Sequence, residues 1–570
     1  MLSKIKMTKG EVIFFTAIIA LGIFLRTYHF SDWLHFEIDQ SYDTLIVSQA
    51  VENGVGNLPL LGPTAGGGRS LRLGPAFYYL EYASAKIFGD TPQGYAILVL
   101  IFSLLSLPLF YFFCKRYFSA VIALALLLAW ASSLYLVAYS RFSWSPNVLP
   151  FLTLAFAYAL LRSVDREEQK KERWFLLTAF LLAIVTQIHF NAFFIFPVVT
   201  ILFLLLTRPR LKLRTWLFAI LIFIAAYAPV VISEVKTHGQ NLSYFFEKLD
   251  NGQGEKFVLG EKITQTFQYT ASEYFLALTG IDHINDSNKL SGYGFVGKDA
   301  FPWRVGALII LAVVVGILSV SLKREKDQKR KDILLFSSVL FFVSTLYFLS
   351  LLRVNHEIYP RFFLTVIILP FIFLGLLLEK LTFKKLGKVS FILPLSLILL
   401  LFSINVPVLM NYFLQLQEVD KKPLVVMTED IFPNTARVTL TQQYAITDYI
   451  EARVQENGYP VYLAAKHEYE PIFWYHLEKK GILYHKTLNG QAVYAQGNYF
   501  VIAFPGEGIG KHSKEFDITE EKSFGALIVY HLKPKSEAII AKKQDENQFE
   551  IPLEKMQIEE LLTWKKIFQK

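Results

Sequence analysis

Long uninterrupted apolar blocks leave this chain few ways to fold. A run of about 20 apolar residues crosses a bilayer as a helix, because a helix bonds every backbone group within its own segment. Runs of this kind lie near 11–29, 95–113, 119–139, 147–162, 174–189, 191–207, 215–233, 303–322, 333–352, 361–379 and 389–410. They amount to about eleven crossings by length alone. The expected fold class is therefore a polytopic α-helical membrane protein. Only 18% of residues are charged, below the ~25% usual in soluble domains, so a soluble multidomain protein is excluded.

Orientation follows from the basic loops. Lys4, Lys6 and Lys9 precede the first run, which reads as a retained helix because Arg26-Thr27-Tyr28 ends it without a small-x-small cleavage site. Lys115-Arg116, Arg162–Arg173, Arg208–Arg214, Lys323–Lys331 and Lys380–Lys388 fall on the same side as those lysines. The positive-inside rule makes that side cytoplasmic and an odd number of crossings puts the C-terminal region outside the cell membrane. The net charge of +9 thus resides on loops facing lipid headgroups, and no nucleic-acid motif accompanies it. The single cysteine, Cys114, excludes an intrachain disulfide and a cysteine-based metal site.

The division expected is a transmembrane unit over 1–410 and an extracytoplasmic α/β domain with an amphipathic tail over 411–570. In the first unit, an outer loop spans 30–94 and holds two interfacial helices, Ser41–Glu52 and the aromatic Ala76–Phe88, joined by the glycine-rich 66–74. A second outer loop, 234–302, carries two Asn-x-Ser sequons at Asn241 and Asn285. In the C-terminal domain, Tyr444–Glu456 and Pro471–Lys480 read as helices. Pro460–Ala465, Ile482–Lys486, Tyr499–Phe504 and Ala526–Leu532 read as strands.

Acids beside a bilayer are expensive and so are functional candidates. Glu37, Asp39 and Asp43 fall within seven positions directly after the first crossing. With Asp39 and Asp43 one helical turn apart, like-charge repulsion raises one pKa and favours a general base or a metal site. Equally, Asp39 or Ser41 reads as a helix cap with Asp43 a favourable charge in the first turn, and local sequence leaves both readings open. Arg69 and Arg72 in the glycine hinge, and Arg361 beside Tyr359 at an outer helix start, suit an anionic phosphate. His189, Arg141 and His356 are candidate substrate-site residues at outer junctions. No metal-ligand spacing is visible.

Three stretches resemble the GT-C glycosyltransferases of the protein mannosyltransferase and lipid A aminoarabinose transferase type. Phe36–Asp43 is similar to the family's first-loop acidic motif, although the expected Asp-Glu reads Asp39-Gln40 here. Arg72–Leu80 resembles the basic-Pro-aromatic start of its second interfacial helix, and Tyr359–Leu364 the Arg-aromatic entry to a late helix. The resemblance implies a polyprenyl-phosphate-linked sugar as donor and a lipid, glycan or protein hydroxyl as acceptor. It implies one inverting displacement with Asp39 as base, Glu37 or Asp43 as second carboxylate, and Arg361 with Arg72 or Arg69 on the leaving phosphate. No cofactor is expected. A lipid flippase and a diphosphate-donor glycan ligase are the alternatives.

Overall fold

The computed structural model describes residues 7–64, 71–244, 259–281, 301–353, 358–382, 391–424, 426, 436–466, 469–485, 488, 493–541 and 561–569. Helix α1 covers Lys9–Thr27, α2 Ile38–Asn53, α3 Ala76–Phe88, α4 Pro92–Tyr117, α5 Ala120–Ser132 and α6 Leu134–Ala138. There follow α7 (Leu149–Val164), α8 (Lys171–Ile188), α9 (Phe190–Thr207), α10 (Leu213–Lys236) and α11 (Leu259–Thr279). Last in the membrane unit come α12 (Phe301–Arg324), α13 (Gln328–Arg353), α14 (Ile368–Lys380) and α15 (Ile392–Val419).

Each of the expected apolar runs forms helix, but the count of eleven spans is not reached. Among the described residues seven helices are long and apolar enough to cross a membrane, or eight if one bent pair is a single span. The 119–139 run breaks at Ser132-Ser133, where the Ser133 hydroxyl caps α6 and donates to the Ala277 carbonyl at 2.7 Å. The 361–379 run opens as a 3-10 turn, Pro360–Val366, bent 61° from α14. Helix α11 lies in the expected second outer loop. Its buried Thr266, Thr270, Tyr274 and Ala277 recur at helical spacing and face the bundle.

The basic loops gather at one end of the bundle. Lys115 pairs with Glu11, Arg116 with Asp165, Lys329 with Glu167, and Arg330 with Glu379. The first outer loop occupies the opposite end, together with the C-terminal domain. That domain has helices α16 (Leu440–Asn457) and α17 (Glu470–Lys479) and a mixed five-stranded sheet. Its strands are β1 (Val461–Ala464), β2 (Tyr484–His485), β4 (Asn498–Ala503), β5 (Phe516–Phe524) and β6 (Leu527–Pro534), in the order β2-β1-β4-β6-β5. A separate parallel pair joins β3 (Val493–Tyr494) to β7 (Ile539–Ala541). Both helices and the strands β1, β2, β4 and β6 overlap the expected positions, whereas β3, β5 and β7 were not anticipated.

The domain packs directly on the first loop. Phe30, Leu34, Phe36 and Leu45 share one apolar cluster with Ile446, Ile450, Tyr475 and Leu477. Polar ties surround it: Lys479 Nζ reaches Asp90 at 2.7 Å and Glu52 at 2.8 Å. The chain end closes the same surface, since the Leu60 N–H donates to the Leu562 carbonyl and Trp564 Nε1 donates to the Tyr79 hydroxyl, each at 2.8 Å. Beneath the cluster lies a buried ion pair, Arg437 Nη1 to Glu37 Oε1 at 3.5 Å. Removing one side of such a pair strands a charge and costs roughly 3–5 kcal/mol. Arg437→Ala should lower the melting temperature of the detergent-purified protein by several degrees, and adding Glu37→Gln should recover part of the loss. Equal melting of wild type and Arg437→Ala would show that the pair carries no stability.

Candidate active site

Helix α2 begins three residues before the expected start because Gln40 caps it: its Oε1 accepts the Glu37 N–H at 2.9 Å. This start turns Glu37 away from the other acids. It is buried and faces Arg437 and, at 3.6 Å, His35 Nε2. Asp39 and Asp43 lie one turn apart on α2, and the Asp39 charge acts on Asp43. The cap is thus formed by Glu37 and Gln40 rather than by Asp39 or Ser41, and Asp39 instead of Asp43 is the acid of the first turn.

Three segments build the surroundings of Asp39. The short turn between α6 and α7 supplies Trp144, which acts on the Asp39 carboxylate and opposes the rise of its pKa. The 3-10 turn supplies Arg361, whose charge acts on Asp39. The Arg361 guanidinium lies 4.3 Å from the Tyr359 ring centre and 5.1 Å from that of Trp144. The third segment is the C-terminal domain, where Glu470 on α17 lies within electrostatic reach of Tyr42. Burial raises the Asp39 pKa; Arg361 and Trp144 oppose that rise.

Behind Asp39 the structure places an acid that sequence reasoning missed. Glu81 on α3 is 1% exposed, accepts from Ser143 Oγ at 2.6 Å on one oxygen, and has no hydrogen-bond partner among the described residues on the other. Burial, and secondly the charge of Asp43, push its pKa well up. Asp43 accepts from the Tyr78 hydroxyl at 2.8 Å; burial is the main cause that lifts it to about 7, with Asp39 adding to the rise and Tyr78 and Arg72 opposing it. A signal for Glu81 was available, since Tyr78 and Glu81 lie three apart on one face of an aromatic helix.

The remaining candidates separate clearly. Arg72 Nη1 donates to the Gly62 carbonyl at 3.2 Å, and its charge acts on Asp43. Its backbone is clasped by Asn241, which accepts the Arg72 N–H at 2.7 Å and donates to the Arg72 carbonyl at 3.2 Å. The first sequon asparagine is thus structural. His189 caps α9 and packs edge-on against Phe362, with ring centres 5.5 Å apart, one residue beyond Arg361. Arg141 is fully buried and reaches away from the acids, donating to the carbonyls of Arg26, Tyr28 and His29 at the end of α1. Its role in the structure is to cap a helix rather than to line the acidic pocket. Arg69, His356 and Asn285 lie outside the described residues.

Residues 73–232 match the model of the dolichyl-phosphate-mannose-protein mannosyltransferase family. The match takes in Tyr78, Glu81, Trp144 and His189, whereas Asp39 and Arg361 fall beyond its ends. No curated protein sequence matches the chain. Among solved structures, ArnT from Cupriavidus metallidurans in its apo state is similar at a TM-score of 0.54 and 11% identity, over 92% of this chain and 98% of that one. The same protein bound to undecaprenyl phosphate gives 0.53 and 12%, with the same coverage. At such identity the likeness is one of fold. The fold is GT-C and, with the family match, the chain is a membrane glycosyltransferase.

The acid cluster carries a stability cost with a definite sign. The Asp43 pKa is raised in the folded chain, to about 7 from an ordinary 3.8. Between those values the folded state therefore holds a proton that the unfolded chain has released. Stability accordingly falls as pH rises through that window and stays lower above it. Asp43→Asn should stabilise the protein by about 1–3 kcal/mol at pH 8 and by far less at pH 4. Thermal melts at the two pH values test this, and an equal gain at both would contradict it.

Proposed function

We propose that this glycosyltransferase moves a sugar from a polyprenyl-phosphate donor to an acceptor hydroxyl at the outer face of the cell membrane, with inversion and with Asp39 as base. The observation that carries the reading is the shared pocket of Asp39 and Arg361, a carboxylate and a guanidinium meeting at Trp144. The undecaprenyl phosphate bound to ArnT supports the choice of lipid carrier. In the step proposed, Asp39 takes the acceptor's hydroxyl proton as the oxygen attacks the anomeric carbon. The bond from that carbon to the phosphate oxygen breaks, and its electron pair leaves with the lipid phosphate. Arg361 meets the charge that grows on the leaving oxygen, with Tyr359 holding its plane.

Arg72, and Arg69 in the same loop, are proposed to add positive charge on the lipid side. Asp43 and Glu81, rather than Glu37, are the acids best placed to support Asp39. His189, behind the Arg361 turn, is proposed to keep that turn in place. The outward orientation rests on the basic loops that share one end of the bundle and on the C-terminal domain that covers the other. A cysteine placed at Ser513, in a Cys114→Ser background, should react with a membrane-impermeant maleimide on intact cells. Labelling only after the cells are broken would reverse the orientation.

Purified protein given labelled polyprenyl-phosphate sugars and candidate acceptors should release free lipid phosphate together with glycosylated product. Movement of intact lipid without product would favour the flippase reading. Asp39→Asn should lower kcat by about 10²–10⁴-fold, the range for a lost general base. Arg361→Ala should lower it by about 10²–10³-fold, as for a lost oxyanion donor. Wild-type turnover in Asp39→Asn would remove the base from the scheme.

A further inference from the structure

The turn between α6 and α7 connects three separate functions through neighbouring residues. Arg141 caps α1, Ser143 donates to Glu81, and Trp144 stands between Asp39 and Arg361. The turn is braced internally. Asn147 Nδ2 donates to the Phe142 carbonyl and the Asn147 N–H to the Trp144 carbonyl, each at 3.0 Å, while Phe142 stacks on Trp144 with ring centres 5.9 Å apart. Trp144 is only 8% exposed. The Arg361 guanidinium lies 5.1 Å from the centre of this buried ring, and Trp144 also acts on the Asp39 carboxylate.

We infer that Trp144 is a positioning residue that links the base to the phosphate-binding arginine: its N–H fixes the Asp39 carboxylate while its ring face carries the Arg361 guanidinium. This rests on the roles proposed above for Asp39 and Arg361. The physical argument concerns a competition. A carboxylate and a guanidinium with nothing between them form a direct, bidentate ion pair, which would occupy the arginine and neutralise the base. An indole offers each ion a weaker, oriented partner instead: a hydrogen bond for the anion and the negative ring face for the cation. Arg361 then keeps its N–H groups for an incoming phosphate, and Asp39 keeps an oxygen for the acceptor. The Glu81–Ser143 hydrogen bond anchors the turn that presents the ring.

Undecaprenyl phosphate tests the link without any knowledge of the sugar. Its affinity for the full-length, detergent-purified protein is measured from pH 5 to 9 in wild type, Asp39→Asn, Trp144→Phe and Trp144→Leu. Affinity should fall as Asp39 ionises and repels the phosphate, and the component of that fall abolished in Asp39→Asn belongs to Asp39. Asp43 and Tyr42 from α2, Arg361 from the 3-10 turn, and Glu81, Arg72 and Tyr78 behind Asp43 also face this region and titrate or carry charge. They are common to all four proteins, so the comparison isolates the indole.

Trp144→Phe keeps the ring and loses the N–H. The Asp39 component should move to higher pH by roughly half to one unit, with acid-side affinity kept. Trp144→Leu loses both, and acid-side affinity should drop about 3- to 10-fold in addition. Trp144→Met replaces it if the leucine variant fails to fold. An unshifted midpoint in Trp144→Phe, or no Asp39 component in the wild type, overturns the link. Wild-type transfer by Asp39→Asn would instead overturn the base, so the two failures read out separately.

Discussion

A carboxylate taken out of bulk water must be given a cation, a hydrogen-bond donor or a proton. That requirement organises the outer end of this molecule. Glu37 is met by Arg437 and His35, Asp39 by Arg361 and Trp144, Asp43 by Tyr78 and Arg72, and Glu81 by Ser143. These partners come from the first loop, the α6–α7 turn, a late membrane helix and the C-terminal domain. Four regions far apart in sequence are therefore held in register by acids that none of them could bury alone.

The C-terminal domain follows from the same requirement. Helix α2 has an apolar face to bury and is preceded by a buried acid, Glu37. The domain supplies both answers at once, laying Ile446, Tyr475 and Leu477 on Phe36 and Leu45 and inserting Arg437 below them. It is thereby the roof of the site and not a tethered accessory. Composition marks a change near residue 411, yet α15 runs on to Val419. The chain also returns at 561–564 to pair with the first loop. Packing respects neither boundary.

Much of this architecture was legible in the sequence because its signals are strong and local. Apolar length marks crossings, basic loops mark one side, and an aromatic period marks α3 to the residue. The breaks were not legible in the same way. Ser132-Ser133 reads as two small polar residues in a helix until the Ala277 carbonyl arrives as a partner, and the 61° bend after Val366 follows a 3-10 turn with no unusual composition. Helix α11 was hidden by its polar residues, whose hydroxyls at Thr266, Thr270 and Thr279 donate to carbonyls one turn back in the same helix. Asp39 and Arg361 were recognisable as candidates from position and charge, and in the structure the Arg361 charge acts on Asp39. Glu81 and Trp144 were not, because each matters through a neighbour distant in sequence. Arg141 was misleading for the same reason: its partners are backbone carbonyls, which sequence does not display.

The division of labour among the acids bears on the kind of displacement proposed. A double displacement needs a second carboxylate, ionised and free to attack the sugar. Asp43 is bound to Tyr78 and titrates at about 7, while burial and the charge of Asp43 favour the neutral form of Glu81, which is hidden behind Ser143. A protonated or hydrogen-bonded acid at that depth is a poor nucleophile. Asp39 differs from both in having a guanidinium beside it, which favours its ionised form against the burial that opposes it. An acid made more basic by burial and set beside a cation that suits a departing phosphate fits the needs of the single inverting step proposed. Burial, rather than the neighbouring acids, is then what keeps that one carboxylate basic.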